Sequence, residues 1–265
     1  MEGGIAQELW PVPGPWLQAG MRTFLRRLRE GKSVEEAADE TDDQGDAFSR
    51  VPALAAARAF GAVASGADLA AAKAALTSEV QAFVGTYQAA PISKASGLTA
   101  ARIIFDVVAG TCGVRDAVLG AIDALAADDP ADVPHASQLH AALVEVVHKW
   151  AMDEKRAYTA ITGEAGNHCH LPPSLATPLA GLVQLTDEGK EGTDLFVAAV
   201  RLVQSGGGCS GSRSNLVGAI VGGACGLEAV PETWQSRTAH IQVYLRQANA
   251  LLGAVESGSG KTVSA

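Results

Sequence analysis

Gly206, Gly207, Gly208, Cys209, Ser210, Gly211, Ser212, Arg213 and Ser214 form the part of this 265-residue chain best suited to chemistry. They run straight into an apolar segment that begins at Leu216. A glycine-rich loop entering a helix presents backbone N–H groups at the positive end of the helix dipole, and that is an anion site. The Ser212 and Ser214 hydroxyls and the Arg213 guanidinium add donors suited to a phosphate. The same residues also suit a tight turn between two packed helices, so spacing alone leaves both readings open.

Three other groups invite a chemical reading. His168, Cys169 and His170 suggest zinc, but zinc takes four ligands and no second cluster with matching spacing exists, so they read as a turn before the Leu171–Ser174 break that lines a pocket or packs against it. Asp39, Glu40, Asp42, Asp43 and Asp46 read first as an acidic helix start, and more sharply as oxygen ligands for a hard cation such as magnesium. The terminal Gly-Ser-Gly-Lys-Thr imitates a phosphate-binding loop, yet the glycine required five residues before Gly260 is Val255. It is set aside.

The elements that must position these groups are helical. Ala101, Ile104, Phe105 and Val108 make one apolar stripe; Leu139, Leu143, Val146, Val147 and Trp150 make another. Leu195, Phe196, Ala199, Val200 and Val203 make a third that ends just before the glycine loop. Met21, Phe24, Leu25 and Leu28 form a stripe on a helix whose other face carries Arg22, Arg26, Arg27 and Arg29, a solvated face rather than a phosphate patch. Breakers fall at Pro91 and Gly97, at 128–134, at 171–174 and at 188–192. The spacing of Gly218, Gly222 and Gly226 predicts a buried central helix approached closely by another backbone.

The expected architecture is one compact all-α domain over 16–253, with an extended proline-stiffened segment over 1–15 and a flexible tail over 254–265. With 48% hydrophobic residues the chain can bury a real core, and a net charge of −9 argues against a nucleic-acid partner. The amino terminus reads as lacking a secretory leader, and the longest apolar run, Leu216 to Leu227, is short of the ~20 residues a membrane span needs. Four cysteines without a CxxC pair suggest reduced thiols and a cytoplasmic protein.

Separated segments of the chain then carry a family resemblance. The order Gly-Gly, four variable residues, a Gly-Ala-x-x-Gly-x-x-x-Gly helix and a closing Val-Pro-x-x-Trp resembles the carboxy-terminal signature of the ADP-ribosylglycohydrolase family, in particular its J-type lens crystallin and selenoprotein J branch. Gly166–Leu175 is similar to that branch's Cys-His-x-Pro turn, and Met21–Ala56 to the segment that holds the family's Arg-Val-Pro-ending pocket loop. The resemblance spans roughly 16–235. It implies an all-α domain whose cleft holds ADP-ribose beside two magnesium ions that orient a water and polarise the ribose. By the same resemblance Gly207, Gly208, Ser210, Ser212, Arg213, Asp46 and Arg50 are the ligand-binding residues.

The metal motif departs from the family. Active members carry Gly-Gly-Asp-x-Asp-Ser/Thr, and the two aspartate positions here are Cys209 and Gly211, followed by Ser212. A soft thiol and a bare backbone do not replace carboxylates for magnesium. Thr41-Asp42-Asp43-Gln44 imitates the family's upstream metal motif, but it stands directly before Arg50-Val51-Pro52, in the later loop. The expectation is a family member shortened at its amino terminus and weak or inactive as a hydrolase, either structural or a binder of ADP-ribose or a related nucleotide. The alternative is an active hydrolase with a rearranged magnesium site at Asp42, Asp43 and Asp46. Loss of an amino-terminal part would leave apolar surface exposed and favour a homo-oligomer.

Overall fold

The computed structural model describes residues 17–256, and among these every regular element is helical. The expected extended segment over 1–15 and the Gly-Ser-Gly-Lys-Thr stretch lie outside the described residues. The chain runs α1 (Ala19–Arg29), α2 (Val34–Ala37), α3 (Asp46–Ser49), α4 (Pro52–Ser65), α5 (Leu69–Gly85), α6 (Pro91–Ala109) and α7 (Val114–Ala127). Then follow α8 (Ala136–Leu143), which continues into a π-helix (Val144–Asp153), α9 (Tyr158–Ala165), α10 (Pro173–Asp187), α11 (Gly192–Ser205) and α12 (Ser210–Cys225). A single 3₁₀ turn (Leu227–Ala229), α13 (Glu232–Arg237) and α14 (Ile241–Glu256) complete it.

Local chemistry sets many of these boundaries. Pro52, Pro91 and Pro173 each stand in a first turn, where a missing N–H costs nothing. Ser33 and Glu36 close a capping box on α2, and the Asp68 side chain accepts from Ala70 and Ala71 at the start of α5. Gly66 and Gly110 end α4 and α6 in the left-handed conformation.

Two helices are central. Fourteen of the nineteen residues of α6 are buried, as are eleven of the fifteen in α10. Helix α6 packs on α3, α4, α5 and α7; α10 packs on α7, α9, α11 and the π-helix. Helix α12 touches both, so the element carrying the glycine loop is fastened to the two halves of the core. Near the far end of α6, Arg102 makes a bidentate pair with Asp128 at 2.7 and 2.8 Å, largely shielded from solvent.

The predicted stripes are the buried faces. Ala101, Ile104 and Phe105 lie in the main core with Leu139, Leu143, Val147, Leu195 and Val203. Phe24 seats the amphipathic α1 on Ala37 and Tyr87, leaving its arginines outward or at the edge. Three expectations need correction. Gly97 is no breaker: it lies inside α6 because a Cβ there would stand 2.7 Å from Val84 Cγ2, so it marks the close crossing of α5 and α6. Gly218 and Gly222 do not line a tight contact, since a Cβ on Gly218 meets open space and one on Gly222 comes no nearer than 4.0 Å. The close approach on α12 is at Gly223, where Val108 Cγ2 would be 2.9 Å away, and Gly226 ends the helix. Finally, α14 runs through Glu256, past the expected start of the tail. Among the described residues no helix is long and apolar enough to cross a membrane.

Candidate functional site

Three segments far apart in sequence meet at the amino end of α12. The loop 42–46 and the turn 168–171 pair in an antiparallel bridge between Gln44 and His170. Gly45 N–H donates to the Cys169 carbonyl (2.9 Å), and Leu171 N–H to that of Asp43 (2.7 Å). The glycine loop joins from the other side: Cys209 N–H donates to the Asn167 carbonyl at 2.9 Å, and Ser212 Oγ lies 3.2 Å from where a Gly45 Cβ would stand. The His-Cys-His stretch is thus a turn lining the site, bonded by its backbone to the acidic loop.

The glycine loop is shaped for approach. Gly207 and Gly208 are exposed and sit at φ +68° and +62°, a region favourable only to glycine. Cys209 occupies the position before α12 with no side-chain cap, its Sγ 3.3 Å from Ser212 Oγ. Ser210 N–H bonds back to the Gly208 carbonyl, while Gly211 is exposed with open space around its Cα. Ser210 and Ser212 are partly exposed at the rim. The arrangement presents an uncapped helix start, two hydroxyls and a thiol to solvent.

Arg213 takes a different place from its neighbours. It is fully buried, and its Nη2 donates to the Asn167 carbonyl, the same oxygen that accepts from Cys209. The guanidinium lies beside Gly206 and the buried Tyr158, whose hydroxyl pKa is pushed up by burial against the opposing pull of that charge. Arg213 therefore fastens the turn to α12 from beneath the loop. Sequence spacing holds the signal: Arg213 shares one helix face with Leu216, Val217, Ile220 and Val221, all buried. Asn167 has no such signal, because its part is played by a backbone oxygen.

The acidic residues are brought near the site but do not converge. Asp42 is buried against the first turn of α1, where its carboxylate accepts from the Gln18 amide and, at 3.2 Å, from Gln44 N–H. Asp43 turns to His170, Oδ1 to Nδ1 2.6 Å. Asp46 starts α3, its carboxyl pKa raised chiefly by burial. Arg50 stacks on Tyr87, Cζ 3.7 Å from the ring centroid, and donates to the carbonyls of Asp46 and Val84 and to Gln88 Oε1. Gln88, itself buried, donates to the Gln44 carbonyl and holds the acidic loop in place. Among the described residues no three His, Cys, Asp or Glu side chains gather as a metal site. Asp42 is taken up by Gln18 and Gln44 and Asp43 by His170, so the carboxylates as placed do not form a magnesium centre.

Burial is the largest influence on the Asp42 carboxyl and raises its pKa above 3.8, against the hydrogen bonds from Gln18 and Gln44. A carboxyl with a raised folded pKa holds its proton more tightly in the folded state. Its stabilising contribution is therefore full below 3.8 and is lost as pH rises through the folded value. Asp42→Asn removes that loss and should gain stability relative to the parent as pH climbs from about 4 to about 7. Urea midpoints at both ends of that range measure it, and a constant difference between the two proteins would refute it.

Among curated proteins no relative matches the chain. The profile of the family described as ADP-ribosylglycohydrolase matches residues 5–260, nearly the whole chain and wider than the motif segments alone. All-helical architecture, the glycine loop at the start of α12 and the pocket loop beside it stand together with that match, and the chain belongs to the ADP-ribosylglycohydrolase family.

Proposed function

We propose that this protein binds ADP-ribose or a related nucleotide at the amino end of α12 and lacks the metal-dependent hydrolysis of active family members. One observation carries this reading. Cys209 and Gly211 stand where the family's two metal carboxylates belong, while the backbone features that suit a pyrophosphate remain: an uncapped helix start and two glycines with left-handed torsions. Ser210 and Ser212 are the hydroxyl donors of this reading, and Arg213 supports the loop instead of reaching the ligand. Asp43 and His170 are bonded to one another in the loop and turn that meet the glycine loop. The J-type crystallin branch and a cytoplasmic location belong to the same proposal; the Cys-His-x-Pro-like turn and the unpaired cysteines support them.

Calorimetric titration of the full chain with ADP-ribose, with and without magnesium, tests the reading. The expected result is binding of equal affinity in both conditions and no release of ADP-ribose from ADP-ribosylated substrates. Binding only in magnesium would mean that carboxylates rearrange into a metal centre. Absence of binding in both would leave a structural role.

A further inference from the structure

We propose that Cys169 and Cys209 are a redox pair that closes into a disulfide across the mouth of the glycine loop. The proposal concerns thiol chemistry and stands whether or not the ligand of the loop is a nucleotide.

The backbone brings the two residues to one place. Cys209 N–H is bonded to the carbonyl of Asn167, two residues before Cys169, and the Cys169 carbonyl is held by Gly45, next to Ser212. Both cysteines are free and partly exposed. Burial first, and then the nearby Cys209, pushes the Cys169 thiol up. A disulfide requires Cα atoms within about 7 Å. Gly207 and Gly208, through their left-handed torsions, bring Cys209 against the turn that carries Cys169. The remaining cysteines sit elsewhere: Cys112 follows α6, and Cys225 ends α12, about 24 Å along the helix from Cys209.

The oxidant is a small-molecule disulfide, RSSR. One protein thiolate attacks a sulfur of RSSR, forming a mixed disulfide and expelling one thiolate that takes up a proton as RSH. The second protein thiolate attacks the protein sulfur of that mixed disulfide and expels the second RSH. Two protein thiols lose two electrons and two protons in total, and RSSR becomes two RSH. In a reducing compartment such a bond is transient and reports the thiol poise. It staples the 168–171 turn to the start of α12 and removes the Cys209 side chain from the rim of the anion site.

The test is equilibration of the full chain in glutathione redox buffers, acid quenching, alkylation and peptide mapping. The expected product is one intramolecular 169–209 link, with Cys112 and Cys225 alkylated. Hydrogen exchange over 206–214 should slow at least tenfold on oxidation, and the unfolding temperature should rise by roughly 5 °C or more. A variant carrying Cys112→Ser and Cys225→Ser should still form the link, and Cys209→Ser should leave Cys169 as a mixed disulfide with glutathione. A link between any other pair, separate mixed disulfides on Cys169 and Cys209 of the parent, or four free thiols across the buffer series would overturn the proposal.

Discussion

Alanine at position 208 is expected to cost about 3 kcal/mol or more and to release the glycine loop from the turn beneath it. Two penalties combine. Gly208 has φ +62°, and a side chain held there costs on the order of 1 kcal/mol before any contact is considered. Its Cβ would then stand 2.7 Å from the Asn167 carbonyl carbon and nearer still to the oxygen, which already accepts from Cys209 and Arg213. That oxygen cannot yield without breaking both bonds, and breaking them strands a fully buried guanidinium. Thermal unfolding should show a fall of roughly 6 °C or more for a domain of this size. Gly211→Ala is the control, because its Cβ meets open space in the first turn of α12 and should be tolerated or stabilise by up to about 1 kcal/mol. Equal effects at the two positions would mean that the Asn167 contact does not anchor the loop.

The contrast between these glycines shows what was legible in the sequence. A stripe such as Ala101, Ile104 and Phe105 declares its buried face by periodicity, because burial of apolar area is a property of the residues themselves. A glycine declares only that something prevents a side chain. Gly97 and Gly223 are small because Val84 and Val108 arrive from other helices, and Gly218 has no such neighbour despite its suggestive spacing. The candidate site divides in the same way. The glycine loop and the turn at 168–171 were visible as unusual residue types at unusual spacing. Their meeting was not, because it is made by the carbonyls of Asn167, Asp43 and Cys169, and main-chain groups are common to every residue. Asp42, Asp43 and Asp46 looked like a ligand set by adjacency alone. Adjacent residues in a loop point in different directions: here Asp42 is bonded to Gln18 and Asp43 to His170, while Asp46 already belongs to α3.

The second large effect concerns the lost carboxylates. Nothing in the fold forbids them. Gly211 is exposed, lies in the first turn of α12 and has open space where a side chain would grow. Cys209 precedes the helix without a side-chain cap, a position at which aspartate is among the preferred residues. Cys209→Asp with Gly211→Asp should therefore fold, and should gain about 1 kcal/mol or more from the added cap and from two negative charges at the positive end of the helix. Magnesium is commonly held by one or two protein carboxylates together with the phosphates of its substrate. On the proposed function, the double variant should acquire a magnesium dependence: ADP-ribose affinity rising at least tenfold in millimolar magnesium, against no expected change for the parent. Calorimetry of both proteins, with calcium as the larger competing ion, measures it. If the variant gains stability but its affinity ignores magnesium, the cap has formed while the carboxylates fail to face the ligand. The metal chemistry would then depend on more of the cleft than the start of α12. If affinity follows magnesium, two substitutions separate this chain from metal-dependent ligand binding, and the fold around the loop has been kept intact through their loss.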